Sequence, residues 1–153
     1  MDLILWRHAE AYDLVDGQDD LQRVLTPRGQ KQAARMGAWL RKHLPDNLRV
    51  LASPAMRTEQ TVRALERKYK LRAELLPDGS PHELLELARW PDAKGAVLVV
   101  GHQPMLGQVA AQLLGMQAGE CSIRKGAVWW LHQRQKLEQT ETVLVTVQSP
   151  ELL

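Results

Sequence analysis

Apolar residues come along this chain in two rhythms, and their alternation predicts the architecture. Leu3-Ile4-Leu5-Trp6 and Ala96-Val97-Leu98-Val99-Val100 are short, continuously apolar runs. Runs of this kind suit strands buried on both faces of a parallel sheet. Between them, Ala33, Met36, Gly37, Leu40 and Leu44 recur at steps of three and four, which makes one face of a helix. Thr26 followed by Pro27 reads as an N-cap and first helical position, so a helix is predicted over 27–43. Lys42 and His43 near its end complement the helix dipole.

The same reading extends along the chain. Strands are predicted at 2–6, 48–52 and, weakly, 72–76. Ser53-Pro54 repeats the cap-and-proline signal, which predicts a second helix over 54–69 with Met56, Leu65 and Tyr69 on its inner face. Pro77-Asp78-Gly79-Ser80-Pro81 is a loop, and a short helix follows at 82–90. After the strand at 96–100, a helix is expected over 104–115. Two β-rich runs, 127–131 and 142–147, suggest a terminal hairpin. Residues 12–24, with Gly17 and four aspartates, read as an exposed loop. The order β-α-β-α-β-α-β-α-β-β implies an α/β fold: a mostly parallel sheet with helices on both faces.

Composition narrows the class. The 153 residues suit one domain spanning 1–153, and 44% hydrophobic with 25% charged residues is ordinary for a globular protein. No apolar run is long enough to span a membrane, and no export signal is recognisable. The single cysteine, Cys121, leaves no internal disulfide and fits a cytoplasmic setting. A net charge of +2 is too small to argue for nucleic acid. A basic cluster (Arg63, Arg67, Lys68, Lys70, Arg72) reads as solvated surface, as does the acidic one in the early loop. A monomer is expected.

Candidate chemistry gathers at strand ends. Right-handed crossovers place the carboxyl ends of the strands at Arg7-His8, Ser53 and Gly101-His102 on one edge, where ligands of open α/β sheets bind. Arg57 falls in the first turn of its helix, where unpaired N–H groups favour an anion. Two arginines, two histidines and a helix start can surround a phosphoryl group, because the planar guanidinium matches phosphate oxygens.

Four stretches in this order carry a resemblance. They are Leu5-Trp6-Arg7-His8-Ala9, Arg23-Val24-Leu25-Thr26-Pro27-Arg28-Gly29-Gln30, Ser53-Pro54-Ala55-Met56-Arg57-Thr58-Glu59-Gln60-Thr61, and Val99-Val100-Gly101-His102-Gln103-Pro104. Together they resemble the histidine phosphatase (phosphoglycerate mutase-like) superfamily, and within it the small phosphohistidine phosphatases of the SixA type. Glycine usually follows the catalytic histidine in that superfamily; Ala9 stands there instead, which reads as a marker of the small branch.

The resemblance implies a three-layer α/β/α sandwich and a metal-independent phosphatase. His8 would be the nucleophile, forming a transient phosphohistidine. Arg7 and Arg57 would hold phosphoryl oxygens and keep His8 neutral. His102 would donate a further hydrogen bond, with a cationic ring as one option. No cofactor is implied, and no metal-ligand cluster is visible in the sequence. Many superfamily members use a carboxylate as general acid, and Glu83 is the best-placed candidate. The preferred reading of Glu83 is support for the first turn of its own helix. Asp20 and Arg23 could line the site mouth, with ordering of the loop as their default role. The segments that could cap a small-molecule substrate, 12–24 and 77–95, are short. The expected substrate is therefore phosphohistidine on a protein, such as a phosphotransfer or sensor-kinase domain. A phosphomonoesterase for a small metabolite or a phosphoserine-type substrate, and a non-catalytic phosphate-binding adaptor, are the alternatives.

Overall fold

The computed structural model describes residues 1–153. Six strands form one sheet: β1 (Asp2–Arg7), β2 (Leu48–Ala52), β3 (Lys70–Leu71), β4 (Ala96–Gly101), β5 (Val128–Lys136) and β6 (Gln139–Gln148). Their spatial order is β3-β2-β4-β1-β5-β6. The first four pair in parallel, and β5 and β6 close the sheet as an antiparallel hairpin beside β1. Four helices complete the fold: α1 (Pro27–His43), α2 (Met56–Arg63), α3 (Pro81–Ala88) and α4 (Met105–Leu113).

Strand alternation sorts the core into two layers. Leu3 and Leu5 of β1, with Val97 and Val99 of β4, pack against Leu84 of α3 and Leu106 and Val109 of α4. Ile4 and Trp6, with Leu98 and Val100, pack on the other face against Met36 and Leu40 of α1 and Val62 of α2. Every residue of β4 is buried, as its unbroken apolar run predicts. This is the expected α/β/α sandwich with a mostly parallel sheet.

Helix α1 begins and ends as predicted, with the Thr26 hydroxyl accepting from the Gly29 amide at 3.0 Å. Three local expectations are corrected. Helix α2 is only eight residues long, because its last turn tightens and Glu66 adopts a left-handed φ of 57°. Ser53 does not cap it: the cap position is Ala55, and Pro54 lies outside the helix. The third strand lies at Lys70–Leu71, and Ala73–Leu75 within the expected range forms a 3₁₀ turn. Leu75 is the only buried residue of that turn, too little to impose a strand alternation. No helix is long and apolar enough to cross a membrane.

Candidate active site

The carboxyl ends of β1, β2 and β4 meet at one rim. His8 leaves β1 with its amide donating to the Gly101 carbonyl at 3.1 Å, and the Ser53 amide donates to Val100 at 3.1 Å. These ladder bonds bring the three segments side by side. A cavity of about 170 Å³ opens there, lined by Arg7, His8, Arg57 and His102 together with Arg23 and Lys125. The four residues singled out by sequence therefore converge.

His8 is buried and held by the main chain. Its Nδ1 lies 2.7 Å from the Ala9 carbonyl oxygen. A carbonyl can only accept, so Nδ1 carries the proton and Nε2 keeps its lone pair. The Ala9 amide in turn donates to Thr61 Oγ1 on α2 at 3.1 Å, and that hydroxyl donates to the Arg57 carbonyl at 2.7 Å. Ala9 has no left-handed φ, so alanine carries no backbone penalty at this position. On its other side, the Glu10 carbonyl presses on α1: a Cβ added at Gly29 would lie 1.9 Å from it. The loop after His8 is thus clamped between both helices of that face.

Burial, with the nearby guanidinium charges, pushes the His8 pKa down to about 3, although the Ala9 bond works against this. His102 is likewise pushed to about 3, by burial first and then by His8 and Arg57. This runs against the option of a cationic His102, because desolvation favours the neutral ring. Its Nε2 is hydrogen-bonded to Ser53 Oγ at 2.9 Å. That is the part Ser53 takes in place of the expected cap.

Both arginines are anchored from behind. Arg7 Nη1 donates to the Ile123 carbonyl at 2.8 Å. Arg57 Nη1 donates to the Asp20 carbonyl at 2.8 Å, and its Nη2 to the Asp20 carboxylate at 3.0 Å. Asp20 also accepts from Arg23 Nε at 2.9 Å. The acidic loop thus fixes two site arginines, which goes beyond the loop-ordering role expected of it. Four buried side-chain polar atoms lack a hydrogen-bond partner, and three of them are Arg7 Nε, Arg57 Nε and His102 Nδ1. Unsatisfied buried polar atoms are costly, and the two arginine Nε–H groups can only donate. Their concentration here marks a site shaped for an acceptor-rich group.

Glu83 does not join this set. It is exposed at the start of α3, where its amide donates to Ser80 Oγ at 3.2 Å and its carboxylate accepts from the same hydroxyl at 3.1 Å. Ser80 is thus the N-cap of α3, and the Glu83 carboxylate is engaged by that same hydroxyl. Asp13 is the one carboxylate lining the cavity. Glu10, for which the sequence offered no role, accepts from Thr26 Oγ1 at 2.9 Å. His82 is exposed, and His132 bonds to Asp2 at the opposite end of β1. No group of three or more His, Cys, Asp or Glu side chains is placed to hold a metal ion.

Sequence reasoning passed over Lys125 and Gln103, which also line the cavity. Gln103 directly follows His102. Lys125 arrives because β5 runs antiparallel to β1, so the start of β5 lies at the same rim where β1 ends. Pairing the terminal hairpin with β1 in advance would have placed it.

Comparison with known proteins agrees with this geometry. Residues 3–78 match the histidine phosphatase superfamily (branch 1). The chain is 32% identical over 130 residues to a phosphohistidine phosphatase SixA homolog of Haemophilus influenzae, covering 75% of this chain and 78% of the relative. The solved structure of the protein histidine phosphatase SixA complexed with tungstate superposes with a TM-score of 0.77 at 25% identity, covering 99% of each chain. A phosphoserine phosphatase from Entamoeba histolytica, in complex with phosphoserine, shares the fold with a TM-score of 0.74 at 16% identity, over 99% of this chain and 98% of that one. Its converging strand ends and its similarity across most of its length are those of one lineage: the chain belongs to the histidine phosphatase superfamily.

Proposed function

We propose that this protein removes phosphate from phosphohistidine on another protein, through a covalent intermediate on His8. The observation that carries this reading is the Nδ1 bond to the Ala9 carbonyl, which leaves Nε2 as a free lone pair in a cationic cavity.

In the first step His8 Nε2 attacks phosphorus in line, and the bond from phosphorus to the substrate's imidazole nitrogen breaks. Protonation of that imidazole's other nitrogen by solvent lets it depart as neutral imidazole. Arg7 and Arg57 stabilise the equatorial oxygens. Phosphorylated His8 keeps its Nδ1 proton on Ala9 and is therefore cationic. Water then attacks phosphorus, His8 leaves as the neutral ring, and the proton from water ends on phosphate or solvent. Donor and acceptor are both imidazoles, so no strong acid is needed. This agrees with the position of Glu83 in a helix cap. Phosphoryl transfer here relies on positioning and charge.

The cavity volume of about 170 Å³ favours a protein-borne group, since small-molecule sites usually enclose roughly 300–1,000 Å³. A second reading, phosphomonoester hydrolysis, draws on Asp13, which could protonate an alkoxide leaving group.

The test is a rapid-quench comparison of a phosphorylated histidine phosphotransfer domain with an aryl phosphate, using wild type and His8→Ala. Wild type should yield an acid-labile phosphoenzyme and His8→Ala none. Equal turnover by His8→Ala would overturn the mechanism. Efficient turnover of aryl phosphate alone, lost in Asp13→Asn, would establish the second reading.

A further inference from the structure

The sheet edge farthest from the hairpin carries a second concentration of positive charge. Strand β3 pairs with β2 only at Leu51 and Ala52, so Leu48–Val50 have no strand beside them on that side. A cavity of about 760 Å³ runs along this open stretch. Six basic side chains line it: Arg49, Arg67, Lys68, Lys70, Arg72 and Arg89; no carboxylate does. Four come from the basic run that reads in sequence as solvated surface. The fold adds Arg49 from β2 and Arg89 from the left-handed residue that ends α3.

Arg49 sets this apart from an ordinary charged face. Its Nη2 donates to the Leu87 carbonyl at 2.9 Å, while Nη1 is buried without a hydrogen-bond partner. Burial, then the charges of Arg89 and Arg72, push its pKa below the usual arginine value. Only Arg72 among the six has a salt bridge, to Glu74 at 2.6 Å. A group of like charges this poorly neutralised favours an anionic occupant.

We propose that this groove receives an extended acidic segment of a partner protein, added to the sheet as a strand beside Leu48–Val50. The charges select an acidic ligand. The open strand edge selects polypeptide over nucleic acid, because a peptide backbone supplies amide donors and acceptors in strand register and a nucleotide chain does not. Leu48 and Arg49 are part-exposed and Val50 is buried, which makes the ladder short, so charge supplies much of the affinity and salt weakens it. The groove lies at the start of β2, four residues and roughly 13 Å of strand from Ser53 at the phosphate-binding rim. Its occupation leaves the phosphoryl cavity free, and the inference does not depend on which phosphorylated group that cavity accepts.

The probe is a fluorescent peptide of about ten alternating Glu and Val residues, followed by anisotropy with the full chain. Saturable binding is expected, weakened about tenfold in Lys68→Glu/Lys70→Glu and by raising salt to roughly 0.5 M. Both substituted side chains are exposed, and an unchanged melting temperature and aryl phosphate turnover verify that the variant is folded. The same peptide N-methylated at alternate residues keeps its charge but loses ladder donors, and should bind about tenfold more weakly. Absence of saturable binding, equal binding of the N-methylated peptide, or tighter binding of a single-stranded oligonucleotide of equal charge each overturns the proposal.

Discussion

The rings of His8 and His102 stand 5.4 Å apart, centroid to centroid, with their planes inclined at 58°. Two imidazoles this close, buried beside two arginines, cannot readily both carry charge. One is oriented by a peptide carbonyl and the other by a serine hydroxyl. Burial therefore favours two neutral rings side by side in one cavity.

Both rings should remain neutral across the ordinary pH range, with His8 as the Nδ1–H tautomer. Long-range proton–nitrogen correlation spectra of ¹⁵N-histidine-labelled protein should show fixed tautomeric shifts for both rings as pH falls from about 8 to about 5. A midpoint near the ordinary histidine value of 6.5 for either ring would contradict the assignment.

Stability should fall with acidification. Each ring takes a proton near pH 6.5 in the unfolded chain but only at about 3 in the fold. Between those values the unfolded state holds more protons. The stabilisation is complete above 6.5 and is lost as pH drops through the window. The slope is about 1.4 kcal/mol per pH unit for each ring. Asp20 acts in the same direction at lower pH: burial raises its pKa, but its bonds to Arg23 and Arg57 lower it more. Urea midpoints at about pH 7.5 and about pH 5 should differ clearly in wild type. The difference should shrink in a His8→Gln/His102→Gln variant; an unchanged wild-type midpoint would count against the depressed values.

Arg57→Lys should reduce kcat/KM by roughly 10²–10³, the usual loss for one transition-state donor. Lysine retains a charge but cannot span the Asp20 carbonyl and carboxylate while facing phosphate. Asp20→Asn keeps the carbonyl acceptor and should cost less than Arg57→Lys. Steady-state kinetics on a phosphorylated phosphotransfer domain would rank them, and the reverse ranking would assign the dominant role to the acidic loop.

Glu83→Gln should change turnover by less than about threefold, because the glutamine amide oxygen can still accept from the Ser80 hydroxyl. Ser80→Ala should lower unfolding free energy by about 1 kcal/mol with little effect on kcat. A large kcat loss in Glu83→Gln, with normal stability, would return Glu83 to the catalytic set.

Gly29→Ala should destabilise the fold by roughly 1–3 kcal/mol through overpacking. Its Cβ would meet the Glu10 carbonyl at 1.9 Å, so either α1 or the loop after His8 must shift. Thermal melts and phosphoenzyme yield should fall together. Gly119→Ala, where nothing lies within 4 Å, is the control.

Most of this site was legible because parallel topology converts strand ends into neighbours. Arg7-His8 and Gly101-His102 close apolar runs that could only be buried strands, and their shared rim follows from crossover handedness. Arg57 could be placed because it lies within a turn of the helix start, even though that start was put two residues early. At Ser53, serine before proline is a strong local cap signal, and no local signal reports a hydroxyl taken up by a histidine 49 residues away. The apolar spacing predicts a longer α2 because Leu65 stays buried after the helix has ended. Lys125 and Asp13 sit on loops whose direction is set by neighbouring strands and by the Asp20 contacts, not by their own residues.

The carbonyl that orients His8 belongs to the main chain. An alanine scan of the surrounding side chains would find no orienting partner for the His8 ring, because none of them supplies it. Point mutation cannot delete that acceptor; only a change to the backbone, such as an ester substituted at the Ala9–Glu10 linkage, would weaken it directly. The tautomer of His8 is thereby protected from the mutations that most easily disable sites built on a chain of side chains.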